Sequence, residues 1–121
     1  MSILVITSDL VTSSAVAGEA ARAGVVCQTA LSLDGVEEKA AALTPRLVIL
    51  DLSMPKLDPA AVVPMLRSLA SPPAIVAFGP HVHEGKLAAA REAGCDAVLT
   101  RGQFHSTVNH IVREAAVKPA S

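Results

Sequence analysis

Leu47 to Pro55 reads LVILDLSMP: four aliphatic residues lead into Asp51, and a Met-Pro turn follows. A carboxylate at the end of a buried strand can attack an electrophile, help to hold a cation, or pair with a basic side chain and orient loops. Which of these it does depends on its neighbours. Asp9 follows Thr7 and Ser8 at the end of the first aliphatic run, Arg101 stands in LTRGQF, and His81 and His83 lie in GPHVHEG. Imidazole and carboxylate suit zinc, so His81, His83, Asp9 and Asp51 define one candidate metal site. The simpler reading of a His-x-His pair in a loop is two solvated side chains, and it is preferred. No GxGxxG or GxxxxGK[ST] loop follows the first aliphatic run, so nucleotide binding has little support. Cys27 and Cys95 lack CxxC spacing and read as small buried hydrophobes rather than a redox pair.

The elements that must position these residues have to fit into 121 residues, one ordinary domain spanning 1–121. Hydrophobic residues make up 51% of the chain, yet Phe78 and Phe104 are its only aromatic residues, so the core is built from closely packed Ala, Val, Leu and Ile. Ten basic against eleven acidic residues, with no run of either sign, give no reason to expect nucleic acid or an anionic membrane as partner. No signal sequence or apolar run long enough to span a bilayer is present, and a reduced, cytoplasmic protein is expected. The starting Met and the polar tail KPAS suit a free-standing domain.

Short aliphatic runs alternate with segments of helical period, the pattern of a doubly wound parallel sheet with helices on both faces. Strands are expected at Ile3–Thr7, Val25–Ala30, Leu47–Leu50, Ala74–Phe78 and Ala97–Leu99. Helices are expected at about Leu10–Ala23, closed by Gly24; from an Asp34 and Glu37 capping pair through Leu43, ended by Pro45; near Pro59–Leu69; near Glu84–Ala93, closed by Gly94; and from about Gln103. Val108, Ile111, Val112 and Ala115 form one apolar stripe on the last helix. Pro64 within VVPMLRSL requires the third helix either to start late or to kink, because its ring crowds the carbonyl of Ala60. Asp9 reads as the cap of the first helix.

Three segments, ILVITSD, DGVEEKAAALTPRLVILDLSMPKLD and AAAREAGCDAVLTRGQF, resemble the receiver domains of bacterial two-component response regulators in wording and spacing, over nearly the whole chain. The resemblance implies a flavodoxin-like five-stranded parallel sheet in the order 2-1-3-4-5, with Asp51 at the phosphoacceptor position and Arg101 in place of the phosphate-contacting lysine. Several family features are missing. The acidic pair that holds magnesium is matched by Thr7 and Ser8, with Asp9 adjacent. The Ser/Thr that contacts phosphate falls on Phe78 or Gly79, and the switching aromatic on Val98. The Lys-Pro peptide is replaced by Arg101-Gly102, expected to be trans.

Swinging a two-state domain from about 1:99 to 99:1 takes roughly 5.5 kcal/mol, and one hydrogen bond to a charged group supplies roughly 1.5 to 3. Losing the hydroxyl therefore removes much of the coupling between phosphate and conformation. The reading is a pseudo-receiver: a signalling domain of two-component type, not an enzyme, that acts by protein-protein interaction with weak or no aspartyl phosphorylation. Asp51 is then half of an ion pair with Arg101. No cofactor is expected, and a weak magnesium site at Asp9 and Asp51 is the alternative. The expected partner is a histidine kinase or a downstream signalling protein. Lys86, Arg91, His105, Asn109, His110 and Arg113 are expected at an interface, or in a homodimer, built from the last two helices and the fifth strand. A working receiver phosphorylated on Asp51 and a small metal- or ligand-binding domain are the other readings.

Overall fold

The aliphatic runs become strands because both of their faces are covered: β1 (Ser2–Ile6) and β3 (Leu47–Asp51) are buried at every residue, as central strands of a parallel sheet must be. A computed structural model describes residues 1–117, and the KPAS tail lies outside them. The chain then adds β2 (Val26–Ala30), β4 (Ala74–Gly79) and β5 (Ala97–Thr100), all parallel, in the order β2-β1-β3-β4-β5. β2 and β5 are the edges, and their residues are mostly exposed or half-buried. The helices α1 (Leu10–Arg22), α2 (Val36–Leu43), α3 (Pro59–Arg67), α4 (Glu84–Ala93) and α5 (Arg101–Val117) fill the crossovers.

The period of two along the strands divides the core in half. Leu4, Ile6, Val48, Leu50, Ile75 and Ala77 pack with Val36 and Ala40 of α2, Val63 and Leu66 of α3, and Leu87 and Ala90 of α4. Ile3, Val5, Leu47, Ile49, Val76 and Phe78 pack with Val16 of α1 and with Phe104, Val108 and Val112 of α5. Ile111 and Ala115 complete the expected α5 stripe as partly buried residues. The two phenylalanines stack in this second half, ring centroids 4.3 Å apart and ring planes within 10° of parallel.

Helix ends follow the expected signals in most places. Gly24, at φ +71°, follows α1, with Val25 N–H bonded to the Ala20 carbonyl and Gly24 N–H to the Ala21 carbonyl, which is a Schellman closure. Gly94, at φ +97°, closes α4. Two expectations fail. Asp34 and Glu37 do not cap α2: Gly35, at φ 72°, is the residue before the helix and no side chain caps it. The last helix begins at Arg101 rather than Gln103. Thr100 and Gln103 form a reciprocal capping box, the Gln103 N–H donating to Thr100 Oγ1 and the Thr100 N–H to Gln103 Oε1. The helix can therefore start directly at the strand end. Pro64 lies inside α3, which starts at Pro59, so the late start is excluded. The proline and Ala60 are both exposed, so the carbonyl left without an N–H partner has access to water.

Candidate functional site

The site lies where β1, β3 and β5 end, on the α1 and α5 side of the sheet. Asp51 closes β3 and is 1% exposed. Its Oδ2 accepts the hydroxyl proton of Thr7 at 2.6 Å, and its Oδ1 accepts both the hydroxyl and the N–H of Ser53, at 2.6 and 3.0 Å. Thr7 is itself fully buried, and its Oγ1 also accepts the N–H of Asp9 at 3.0 Å. Buried carboxylates are tolerated when donors surround them, and here Thr7 and Ser53 donate to both oxygens of Asp51. Ser53 carries two of these bonds and escaped the sequence reading. Its signal was available, since an Asp followed two residues later by an N–H and hydroxyl donor is an Asx-turn pattern.

Asp9 caps α1, its Oδ1 accepting the Val11 N–H at 3.1 Å and its Oδ2 the Thr12 hydroxyl at 2.8 Å. The same Oδ2 takes the guanidinium of Arg101 at 2.9 Å. These donors, Arg101 first, bring the Asp9 carboxyl from its ordinary value of 3.8 down to about 2. The short partner of Arg101 is therefore Asp9. Asp51 lies 4.0 Å from Nη2, at the limit of an ion pair, so the expected pairing of Asp51 with Arg101 is displaced toward the first helix. The guanidinium spans the two carboxylates, rests over the Phe78 ring with Cζ 5.6 Å from its centroid, and reaches Ser53 Oγ at 3.5 Å.

Phe78 is the register partner of Asp51, on the same face of the sheet. Gly79 follows on the opposite face, where an added Cβ would lie 3.2 Å from the Cβ of Leu52. Neither offers a hydroxyl. Val98, on β5, is half-buried against the α2–α4 half of the core.

The remaining candidates are scattered. His81 and His83 are exposed, and among the described residues no three His, Cys, Asp or Glu side chains gather closely enough to hold a metal ion. The four-residue metal site of His81, His83, Asp9 and Asp51 is not formed among the described residues, and both carboxylates are engaged by protein donors. Magnesium does not fit either. Thr7 and Ser8 bring no charge, both oxygens of Asp51 already accept from protein donors, and Asp9 is taken by Arg101.

Of the expected interface residues, Arg91, Asn109, His110 and Arg113 are exposed on α4 and α5, with His110 3.1 Å from Glu114. Lys86 turns to the rim, its Nζ donating to the Leu52 carbonyl at 3.0 Å. His105 was expected on that exposed surface but turns toward α1, where its Nε2 is 3.3 Å from Thr12 Oγ1 and its ring lies edge-on to Phe104. The apolar rings of Phe78 and Phe104 draw it in. Cys27 and Cys95 are half-buried free thiols, and burial raises their pKa values, as structural cysteines require.

No protein-family model matches the sequence, and no curated protein matches it. Solved structures do match. A signal receiver domain of a response regulator from Bermanella marisrubri is 26% identical, with 94% of this chain and 96% of that one covered and a TM-score of 0.80. An orphan response regulator of H. pylori is 16% identical, with 98% and 97% covered and a TM-score of 0.77. The receiver domain of a sensor histidine kinase from Pseudomonas aeruginosa PAO1, described with a magnesium ion coordinated in its active site cleft, is 15% identical, with 97% and 98% covered and a TM-score of 0.76. Element order, strand order and these neighbours agree: the chain has the flavodoxin-like, receiver-domain fold of two-component response regulators. No helix among the described residues is long and apolar enough to cross a membrane.

Proposed function

We propose that this chain is a pseudo-receiver, a non-enzymatic signalling domain of two-component type that works by binding other proteins and undergoes little or no aspartyl phosphorylation. The observation that carries this reading is the state of Asp51: 1% exposed, with both oxygens accepting hydrogen bonds from Thr7 and Ser53. Phosphoryl transfer depends on positioning and on neutralising charge at the transferring oxygens. A nucleophile that must first shed two hydroxyl partners, with no metal-holding acidic pair beside it, has neither advantage. Arg91, Asn109, His110 and Arg113 on α4 and α5 offer the polar surface for a protein partner or a second copy. A histidine kinase or a downstream protein is the expected class of partner. Intact mass after incubation with magnesium and acetyl phosphate, run beside Asp51→Asn, tests the reading. An unchanged mass is expected, and a gain of one phosphoryl group that the variant lacks would refute it.

A further inference from the structure

We infer that the outer edge of β2 pairs with the same edge of a second copy of this chain, antiparallel and centred on Gln28. The inference does not depend on the state of Asp51. On its inner side β2 is bonded to β1: the Val26 N–H donates to the Met1 carbonyl, and the Ala30 carbonyl accepts from the Thr7 N–H. Backbone polar groups along a strand point alternately to its two sides, so Cys27 and Thr29 present theirs outward. Among the described residues the one group that reaches them is Lys39, whose Nζ is 3.5 Å from the Thr29 carbonyl, at the limit of a hydrogen bond. The usual guards of an open edge are missing, since VCQTA holds no charge and no proline. Exposed aliphatic side chains bracket it instead, Val26 at 58% and Leu31 at 57%. The other edge is different: every residue of β5 is half-buried, and the Thr100 N–H is taken by Gln103.

A second copy fits this edge through its own chemistry. About a two-fold axis at Gln28, Cys27 of each copy stands opposite Thr29 of the other, and each such pair exchanges both of its N–H to carbonyl bonds. All the outward backbone groups are then satisfied, including the Thr29 carbonyl that Lys39 meets only at 3.5 Å. Gln28 meets its equivalent at the axis on the α2 side of the sheet, the side that its register partner Leu4 faces. An exposed amide carries both donors and acceptors, so two of them can bond each other. A two-fold contact sets one patch against itself and therefore needs both signs of charge. Glu38 and Lys39, which line the same surface groove as Gln28, supply them. Such a contact closes at two copies. It lies at the opposite edge of the sheet from β5 and uses none of Arg91, Asn109, His110 and Arg113, which stay open to a different protein.

The test is sedimentation equilibrium of the full chain. Wild type is expected to pass from monomer to dimer with a Kd of roughly 10 to 100 µM, as suits an interface at the small end of the range. Gln28→Lys and Gln28→Glu each set like charges opposite one another at the axis and should weaken the dimer at least about tenfold. Gln28 is exposed, so both variants should keep the wild-type circular dichroism spectrum. Mixing the two variants should restore a dimer, now of one copy of each. Arg113→Glu, on α5, should leave the wild-type dimer intact. In a Cys27→Ser, Cys95→Ser background, Gln28→Cys should give a disulfide-linked dimer on mild oxidation, since directly opposite strand residues lie within disulfide reach. A wild type that stays monomeric up to about ten times the upper Kd overturns the inference. So does a dimer that survives both Gln28 charges, one that Arg113→Glu dissolves, or a series of larger species, which would mean head-to-tail pairing. None of these results bears on the phosphoryl mass measurement, so the two readings fail separately.

Discussion

Replacing Asp51 by asparagine should destabilise the protein, and the sign of that change is diagnostic. If Asp51 were one member of an under-compensated acidic cluster, removing its charge would relieve repulsion with Asp9 and stabilise the fold. In this structure the carboxylate receives three short hydrogen bonds and has Arg101 at 4.0 Å. With asparagine, the amide oxygen can keep the two Ser53 donors at reduced strength, but the NH2 group faces Thr7 Oγ1, which already accepts from the Asp9 N–H. The buried Thr7 proton then has no acceptor. One lost hydrogen bond to a charged group costs roughly 1.5 to 3 kcal/mol, and the weakened pair adds to it, so ~2 kcal/mol is the expected net loss. For a domain of this size that is a fall of roughly 8 °C in Tm, and in urea a shift of about 1 M in midpoint. The assay is equilibrium urea denaturation of wild type, Asp51→Asn, Thr7→Val and the double variant. The double variant should lose less than the two singles together, by at least about 0.5 kcal/mol, because both remove the same bond. A neutral or stabilising Asp51→Asn would refute the argument that the carboxylate is held as structure.

Four further outcomes follow from the same geometry. Phe104→Ala empties half of the stacked pair in a fully buried position and should cost ~4 kcal/mol in urea denaturation; a loss under about 1 kcal/mol would mean the second half-core is not packed as described. Thr100→Ala should cost ~1 kcal/mol by opening the capping box, with Gln103→Ala adding little to it in the double variant. Gly79→Ser should destabilise by ~1 kcal/mol, since its Cβ would press on Leu52 at 3.2 Å, and it should not restore phosphorylation by acetyl phosphate. The carboxyl of Asp9 is lowered from 3.8 to about 2 by Arg101 above all, so its contribution to stability is whole above pH ~4 and is lost as pH falls through about 2. The stability gap between wild type and Arg101→Gln should therefore narrow across that acid window, and a gap that stays constant would separate Asp9 from Arg101.

Much of the fold was legible because its signals are local. Aliphatic runs, helical period and the glycines that end α1 and α4 all act within a few residues, and the strand order came from resemblance to a known family. The errors arose where two local signals competed. Asp34 and Glu37 have cap-like spacing, yet Gly35 reaches the left-handed conformation before α2 and leaves the aspartate outside. TRGQ carries both a basic residue at the strand end and the capping-box spacing, and the box sets the helix start at Arg101. The site was harder, because its contacts join residues far apart in sequence. Arg101 could be placed near Asp51 by analogy, whereas its preference for Asp9, 92 residues away, is set by how α1 and α5 pack. His105 turned inward for a similar reason, since Phe78 and Phe104 make a surface on its side of α5 that no pattern in that helix alone predicts.

The side chains around Asp51 act together. Thr7 supplies the proton that Asp51 Oδ2 accepts, and its lone pair receives the Asp9 N–H. That aligns Asp9 to cap α1 and to meet Arg101. The Arg101 guanidinium has the two-pronged reach to serve Asp9 while staying near Asp51, and a compact ammonium could not do both. Phe78 supplies the ring under the guanidinium. Thr7 and Arg101 serve different carboxylates: Thr7 donates to Asp51, and Arg101 pairs with Asp9. Together with Ser53, Thr12 and the Val11 N–H, they give every carboxylate oxygen of Asp9 and Asp51 a protein donor. Removing any one of these side-chain donors should therefore weaken the fold, read as a lower urea midpoint.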